Sequence, residues 1–222
     1  MAQHLDLEEQ EQIDQLKHFW NTYGTLITAL LVLAFGALAA WNGYQFWQNR
    51  QAVQASALFD AIDTAAKAGD TARLEQAFGD IKDKYPSTAY AYQAGLLAGK
   101  VLFEKGQLDA AKATLGWVAE KSGDDGLAAL ARLRLAGVLI QQQAYDQALA
   151  QLGGSVPASF APLVADRKGD IYLLQGKQAE AIQSFTQAYK DLDDRLEYRR
   201  LVEVKLNALG VDPQAAIPGA QS

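Results

Sequence analysis

The chain has 222 residues, 50% of them hydrophobic, and a formal net charge of −6. Five of its 26 acids and one of its 20 bases lie in the first 24 positions, which leaves 21 acids and 19 bases for the rest. This near balance, with no basic tract, argues against a nucleic-acid-binding protein, because phosphate neutralisation supplies most of that affinity. The chain lacks cysteine, so disulfides, thiolate chemistry and cysteine-based metal sites are excluded.

The first predicted element is one hydrophobic helix, and residues 23–47 are its predicted transmembrane span. No charged residue occurs between Lys17 and Arg50. The 23 residues from Thr25 to Trp47 reach about 34 Å as a helix, slightly more than a hydrocarbon core of about 30 Å. Eight strongly apolar side chains favour insertion by about 2–5 kcal/mol: Leu26, Ile27, Leu30, Leu31, Val32, Leu33, Phe35 and Leu38. Aromatic side chains suited to headgroup depth flank them: Trp20, Tyr23, Trp41, Tyr44 and Trp47.

Two other interpretations of this segment compete with a retained anchor. Ala37-Leu38-Ala39 has the form of a signal-peptide cleavage site, but a signal peptide requires a basic start and the first 24 residues carry a net charge of −4. A buried helix of a soluble protein does not account for the flanking aromatic residues. We therefore expect an uncleaved anchor. Its orientation stays open on the residues alone, because Lys17 and Arg50 give each side one base.

The rest of the chain is rich in helix-forming residues, and a repeating pattern in it predicts helix pairs. Copies at 99–118, 136–152 and 169–189 share a small residue, a large apolar residue, a Gly or Gln turn and an apolar-x-x-Ala stripe. Their offsets of 37 and 33 residues bracket the period of about 34 residues typical of tetratricopeptide repeats (TPRs). A degenerate copy at 55–86 turns at Gly69, and its first helix is either separate or a continuation of the hydrophobic helix.

Individual positions in the repeats carry specific structural predictions. Gly169 is the small residue where two helices cross closely, and Gly176 ends the first helix of that pair. In the copy at 136–152, Gln143 stands where the others have a turn glycine. After Asp194, a capping helix is predicted to turn three residues inward: Leu201, Val204 and Leu206.

These features predict an all-α fold with one transmembrane helix, a TPR-like α-solenoid of three to four helix pairs and a C-terminal capping helix. The predicted boundaries are a short tail at 1–22, the span at 23–47, the repeat domain at 48–210 and a disordered tail at 211–222. The first helix of each pair lines the concave face of such a solenoid. The predicted concave positions mix apolar and polar side chains, as in a protein-binding groove: Gln93, Leu96, Lys100, Phe103, Leu130, Leu133, Ile140, Asp166, Asp170 and Leu173.

No catalytic pattern emerges from the sequence. Both histidines, His4 and His18, lie near the N-terminus, and neither a Walker A loop nor a G-x-G-x-x-G fingerprint is present. Carboxylates cluster only where helices are predicted to join, and we interpret them as solvated loop charges: Asp124, Asp125, Asp191, Asp193 and Asp194. We predict a protein that is not an enzyme and uses no cofactor or metal.

The order of these features resembles the YfgM family, the ancillary subunit of the bacterial Sec translocon. The resemblance covers nearly the whole chain. Its segments are EEQEQIDQLKHFWNTYG at 8–24, the hydrophobic helix with WxxxQ at 47–51, YPSTAYA at 85–91 and VEVKLNAL at 202–209. It implies a single-pass inner-membrane protein with a cytoplasmic N-terminus and a periplasmic repeat domain. It also implies association with the SecYEG channel and with a membrane-anchored periplasmic chaperone of the parvulin prolyl-isomerase type.

The role implied by this resemblance is the transfer of newly exported chains to periplasmic chaperones; whether unfolded exported proteins are bound directly stays open. Three other hypotheses are compatible with the residues. The same groove would serve an adaptor in cell-envelope assembly or signalling, and an inverted anchor would give a cytoplasm-facing TPR receptor. An enzyme is the third.

Overall fold

The computed structural model describes residues 7–213, with side chains from residue 11 onward. Residues 1–6 of the predicted N-terminal tail and 214–222 of the predicted disordered tail lie outside this range. The described chain is all helical, and it divides into two compact units, one ending at Gln51 and the other beginning at Ala52. Its α-helices are α1 (Leu7–Ala68), α2 (Thr71–Lys84), α3 (Ala89–Glu104), α4 (Leu108–Lys121), α5 (Asp125–Gln141), α6 (Tyr145–Gln151), α7 (Ala161–Leu174), α8 (Gln178–Asp191) and α9 (Glu197–Ala208).

The first unit contains the uncharged stretch of α1. Seven of the eight predicted anchor side chains are 49–71% exposed, and the eighth, Ile27, is partly buried. The five predicted interface aromatics are likewise about half exposed or more. By length and composition, α1 is the one described helix able to cross a membrane. The described residues of this unit leave most of that apolar surface exposed, which is the state expected of a helix that meets lipid.

The second unit is a solenoid of helix pairs, as predicted. Consecutive helices from α2 to α6 and from α7 to α9 pack on one another, and the first helices of neighbouring pairs, α3, α5 and α7, also meet. The last residues of α1 supply the first helix of the degenerate repeat, because α1 runs on to Ala68. The four pairs are α1–α2, α3–α4, α5–α6 and α7–α8. The third pair has a short second helix, α6, and a 3-10 turn at Ala158–Phe160 leads to α7.

A left-handed residue separates the two helices of each pair. Gly69, Gly106 and Gly176 have φ values of 67°, 74° and 74°, a conformation that glycine adopts without steric cost. In the third pair this position is Gln143, with φ of 58°. The sequence therefore identified the turn position in all four pairs, including the one where glycine is absent.

Glycines, which have no side chain, allow the paired helices to approach closely. An added Cβ at Gly169 would lie 2.4 Å from Cε1 of the buried Phe185, and one at Gly99 would lie 2.5 Å from Cγ of Leu115. Contacts this short are not tolerated between carbon atoms, so only glycine fits without displacement of the neighbour. The predicted close crossing at Gly169 is confirmed, and Gly99 serves the pair α3–α4 in the same way.

The capping helix α9 presents a different face to the core than the sequence predicted. Val202 and Leu206 are fully buried, one turn apart, whereas Leu201 and Val204 are 48% and 63% exposed. The prediction was correct for Leu206 and wrong for the other two. Both sets satisfy helical spacing, and the buried pair packs with Phe185 of α8 in a separate apolar cluster.

The folded chain also continues past the predicted boundary at 210. Gly210 has φ of 78°, and the backbone N–H of Val211 donates to the carbonyl of Leu206 at 3.1 Å. This arrangement is a Schellman-type helix end, in which the residue after the glycine makes an apolar contact. Val211 packs against the α8–α9 cluster, and Pro213 is buried.

Candidate protein-binding groove

The first helices of the pairs, with α9, line an open groove of about 610 Å³. Its walls come from α3, α5, α7 and the start of α9, with Leu115 of α4, so it lies mainly on first helices, which line the concave face of TPR-like solenoids. Apolar side chains form much of the lining: Phe103, Leu130, Leu133, Ile140 and Leu163. We name this cavity the concave groove.

Five of the ten predicted concave positions lie in the concave groove. They are Lys100 and Phe103 of α3 and Leu130, Leu133 and Ile140 of α5. They converge because positions three, four or seven apart share one face of a helix, and the solenoid places the two helices side by side.

The other five predicted positions lie outside the groove lining. Gln93 is exposed elsewhere on α3, and Leu96 is buried in the core. Asp166 and Asp170 belong to an ion cluster between α7 and α9, where Asp166 is only 2% exposed. Leu173 lies partly exposed on α7.

The ion cluster holds α9 against α7 and supplies one wall of the groove. The Lys205 ammonium donates to both carboxylate oxygens of Asp166, at 2.8 and 3.0 Å, and to Asp170 Oδ1 at 2.7 Å. The hydroxyl of Tyr198 donates to Asp166 Oδ2 at 2.6 Å, while Tyr198 also lines the groove. Burial, and then the hydrogen bond to the Asp166 carboxylate, raise the pKa of Tyr198.

Two arginines of the groove, Arg134 and Arg167, were missed by the sequence analysis. Arg134 Nη1 donates to the carbonyl of Leu96 at 2.8 Å, and burial lowers the pKa of this arginine. Its position four residues after Leu130 places it on the same helical face as that residue. The apolar residues of that face were recognised, and the charged one was not.

Gly137 leaves an opening in the α5 wall of the groove. It lies three residues after Arg134 on the same helical face, and an added Cβ would meet no atom within 4 Å. Unlike Gly169, this glycine is not required by a close helix crossing. Its absent side chain leaves free space in the groove wall that also carries Arg134.

Three of the five clustered carboxylates at the helix junctions have structural roles. Asp124 caps α5 by accepting a hydrogen bond from the Leu127 N–H at 2.8 Å. Asp193 accepts one from the Arg195 N–H at 2.9 Å, and Asp194 forms an ion pair with Arg199. Within residues 7–213, no group of three or more His, Cys, Asp or Glu side chains is arranged to hold a metal ion.

Comparison with known proteins identifies the family of this chain. A family model described as a tetratricopeptide repeat-like domain matches residues 17–211. Three similar proteins carry the name "Ancillary SecYEG translocon subunit". The one from Neisseria gonorrhoeae is 37% identical over 94% of this chain and 100% of its own length. The one from Haemophilus influenzae is 33% identical over 91% and 98%, and the one from Escherichia coli 26% over 91% and 97%. This chain, with its hydrophobic helix and TPR-like solenoid, belongs to the YfgM family of ancillary SecYEG translocon subunits.

Proposed function

We propose that this protein is a non-catalytic, membrane-anchored scaffold that associates with the Sec translocon and binds partner proteins in its concave groove. One observation carries the proposal: the groove is open and apolar in a TPR-like domain whose relatives are named as SecYEG subunits. An exposed apolar surface of this kind on a soluble domain marks a binding site, because water does not favour its exposure.

The proposed topology is a single pass through the bacterial inner membrane by residues 23–47. The N-terminus lies in the cytoplasm and the repeat domain in the periplasm. The uncharged stretch of α1 and its flanking aromatic residues support the span, and the orientation comes from the family resemblance.

The proposed partners are the SecYEG channel and a membrane-anchored periplasmic chaperone of the parvulin type. In this role the scaffold keeps a chaperone beside the channel exit, where newly exported and still unfolded chains emerge. Direct binding of those chains by the groove is part of the proposal. The anchor restricts the domain to the membrane surface and so raises the effective concentration of each partner near the others.

The groove can be filled without disturbing the fold, which provides a test. In Gly137→Leu the new side chain extends into open groove space, so the helix should form while the groove is occupied. Gly116→Leu is the matched control: this helical glycine of α4 also has no atom within 4 Å of an added Cβ and does not line the groove. Membranes containing each variant are gently solubilised, and co-purifying SecYEG and chaperone subunits are quantified.

We expect Gly137→Leu to lose partners that Gly116→Leu retains, at equal levels of the two variants in the membrane. Equal recovery of all partners by both variants would exclude the groove as the binding surface. The orientation is tested separately with reporter domains fused after Ser222. Activity of a cytoplasm-dependent reporter together with silence of a periplasm-dependent one would overturn the proposed topology.

A further inference from the structure

Charge is distributed unequally between the groove and the rest of the solenoid. The chain after residue 24 has 19 bases and 21 acids, yet the groove lining contains three bases and no acid. The three bases are Lys100, Arg134 and Arg167. They come from three different helices, α3, α5 and α7, and converge on one apolar surface.

Arg134 is the base that the fold leaves without a counter-ion. Its guanidinium is partly buried and makes one hydrogen bond, from Nη1 to the Leu96 carbonyl at 2.8 Å, with no carboxylate partner among the described residues. A guanidinium has five N–H donors, so four are left for a ligand. Burial of a charge without an opposite charge is unfavourable, and a ligand carboxylate would offset that cost.

Lys100 and Arg167 extend the same preference along the groove. The Lys100 ammonium lies 3.8 Å from the exposed Glu104 carboxylate, a loose pair at the rim, and Arg167 has no ion pair within the described chain. On the α9 side, Lys205 is shared by Asp166 and Asp170, and the Tyr198 hydroxyl caps Asp166. The nearby carboxylates are therefore already engaged beneath the groove wall.

We propose that the concave groove takes a protein segment that combines apolar side chains with at least one carboxylate, and that Arg134 binds this carboxylate. The inference rests on the proposed function and specifies its partner class. Apolar side chains of the segment pack on Phe103, Leu130 and Ile140. The carboxylate occupies the open space beside Gly137 and accepts two parallel N–H bonds from the free edge of the guanidinium.

The test uses the full-length chain in detergent micelles and two short synthetic peptides with an uncharged dye. One peptide alternates leucine and phenylalanine with aspartate, and the other has asparagine in place of each aspartate. Binding is measured by fluorescence anisotropy for the wild type, Arg134→Gln and Arg132→Gln. Arg132 is a matched control on the same helix, since its Nη1 also donates to a backbone carbonyl, that of Ser155 at 3.2 Å, and it does not line the groove.

The wild type and Arg132→Gln should bind the aspartate peptide about tenfold or more tightly than the asparagine peptide, the range expected for a charge-assisted hydrogen bond. Arg134→Gln should lose most of this preference and keep only the weaker part that Lys100 and Arg167 supply. Circular dichroism verifies folding. Should Arg134→Gln fail to fold, Arg134→Lys is used, which keeps the charge and loses the bidentate geometry, and an intermediate preference is expected.

Three results would overturn the inference. The first is equal binding of both peptides by the wild type. The second is a loss of the aspartate preference in Arg132→Gln as large as that in Arg134→Gln. The third is binding of phosphatidylglycerol vesicles through Arg134 without any peptide binding. The proposed function fails differently. If Gly137→Leu keeps its translocon partners while the aspartate preference holds, the groove chemistry stands and its proposed use is wrong. If Gly137→Leu loses those partners while the peptides bind equally, the scaffold role stands and the carboxylate preference is wrong.

Discussion

Replacement of Lys205 by methionine should weaken the attachment of α9 to the solenoid. The Lys205 ammonium makes three hydrogen bonds of 2.7–3.0 Å to the carboxylates of Asp166 and Asp170. Asp166 is 2% exposed, so water cannot replace these donors. Methionine has a similar length and keeps the contact with the Phe185 ring, which lies 5.0 Å from the ammonium. The substitution therefore removes the charge and leaves most of the packing in place.

The magnitude follows from what Asp166 loses. In the variant, Asp166 keeps one hydrogen-bond donor, the Tyr198 hydroxyl at 2.6 Å. It also stays close to the other carboxylate of the cluster, that of Asp170. Loss of one partner from a buried ion pair costs about 3–5 kcal/mol. The Lys205 side chain is 23% exposed, which favours the lower end, about 3 kcal/mol. For a domain of this size, that corresponds to a fall in Tm of about 6–12 °C.

Thermal unfolding of the full-length chain in detergent micelles, followed by circular dichroism, measures this change. Lys190→Met is the control, because Lys190 is exposed on α8 and forms no ion pair among the described residues. Its Tm should change by less than about 2 °C. Addition of Asp166→Asn to Lys205→Met should restore part of the loss, since the unpaired buried charge is then removed. Equal Tm values for Lys205→Met and Lys190→Met would refute the reasoning.

Three further predictions concern the close crossing, the turns and alkaline pH. Gly169→Ala should lower the free energy of unfolding, measured with urea, by about 1–2 kcal/mol, because its Cβ would lie 2.4 Å from a buried ring. Gly137→Ala should raise the free energy of unfolding by up to about 1 kcal/mol, because its Cβ meets no atom and alanine favours the helix. Changes of the same sign in the two variants would contradict this. Gln143→Gly should raise the free energy of unfolding by about 0.5–1 kcal/mol, because glycine adopts a φ of 58° without strain. Gly106→Gln at the equivalent turn should lower it by a similar amount in the same assay. The folded state raises the pKa of the Tyr198 hydroxyl. Tyr198 therefore contributes fully to the stability of the fold below the unfolded pKa of 10.0, and this contribution is lost as pH rises towards the folded pKa. Stability measured across this range should therefore fall less steeply in Tyr198→Phe, and identical slopes would contradict the assignment.

The sequence predicted the fold wherever a local feature has one structural solution. An uncharged stretch between Lys17 and Arg50 with flanking aromatics is compatible with few arrangements other than a span. Glycines that recur near the TPR period predicted both the turn at Gly176 and the close crossing at Gly169, and the structure contains both. Gln143 was located because the spacing of its neighbours fixed the turn even without glycine.

Features that depend on pairing across distant helices could not be predicted. Lys205 and Asp166 are 39 residues apart, and nothing local to α7 indicates that Asp166 turns inward to meet a lysine from α9. For the same reason Asp166 was predicted as a groove residue. The register of α9 was ambiguous, because Leu201 with Val204 and Val202 with Leu206 both form apolar stripes at helical spacing.

In the structure, most contacts that stabilise each helix pair lie apart from the proposed binding groove. Close crossings and turns hold the pairs together, while Arg134 and Gly137 line the groove, and Arg134 reaches the core through one hydrogen bond to the Leu96 carbonyl. Substitutions at Gly137 should therefore change binding without lowering Tm, and Arg134→Gln, which loses one hydrogen bond, should lower Tm by only about 2–4 °C. Tyr198 is the exception, since its ring lines the groove and its hydroxyl is part of the ion cluster that holds α9. Loosening α9 through Lys205→Met should remove this wall, so that variant should lose peptide affinity together with a fall in Tm of about 6–12 °C, a larger fall than Arg134→Gln should show.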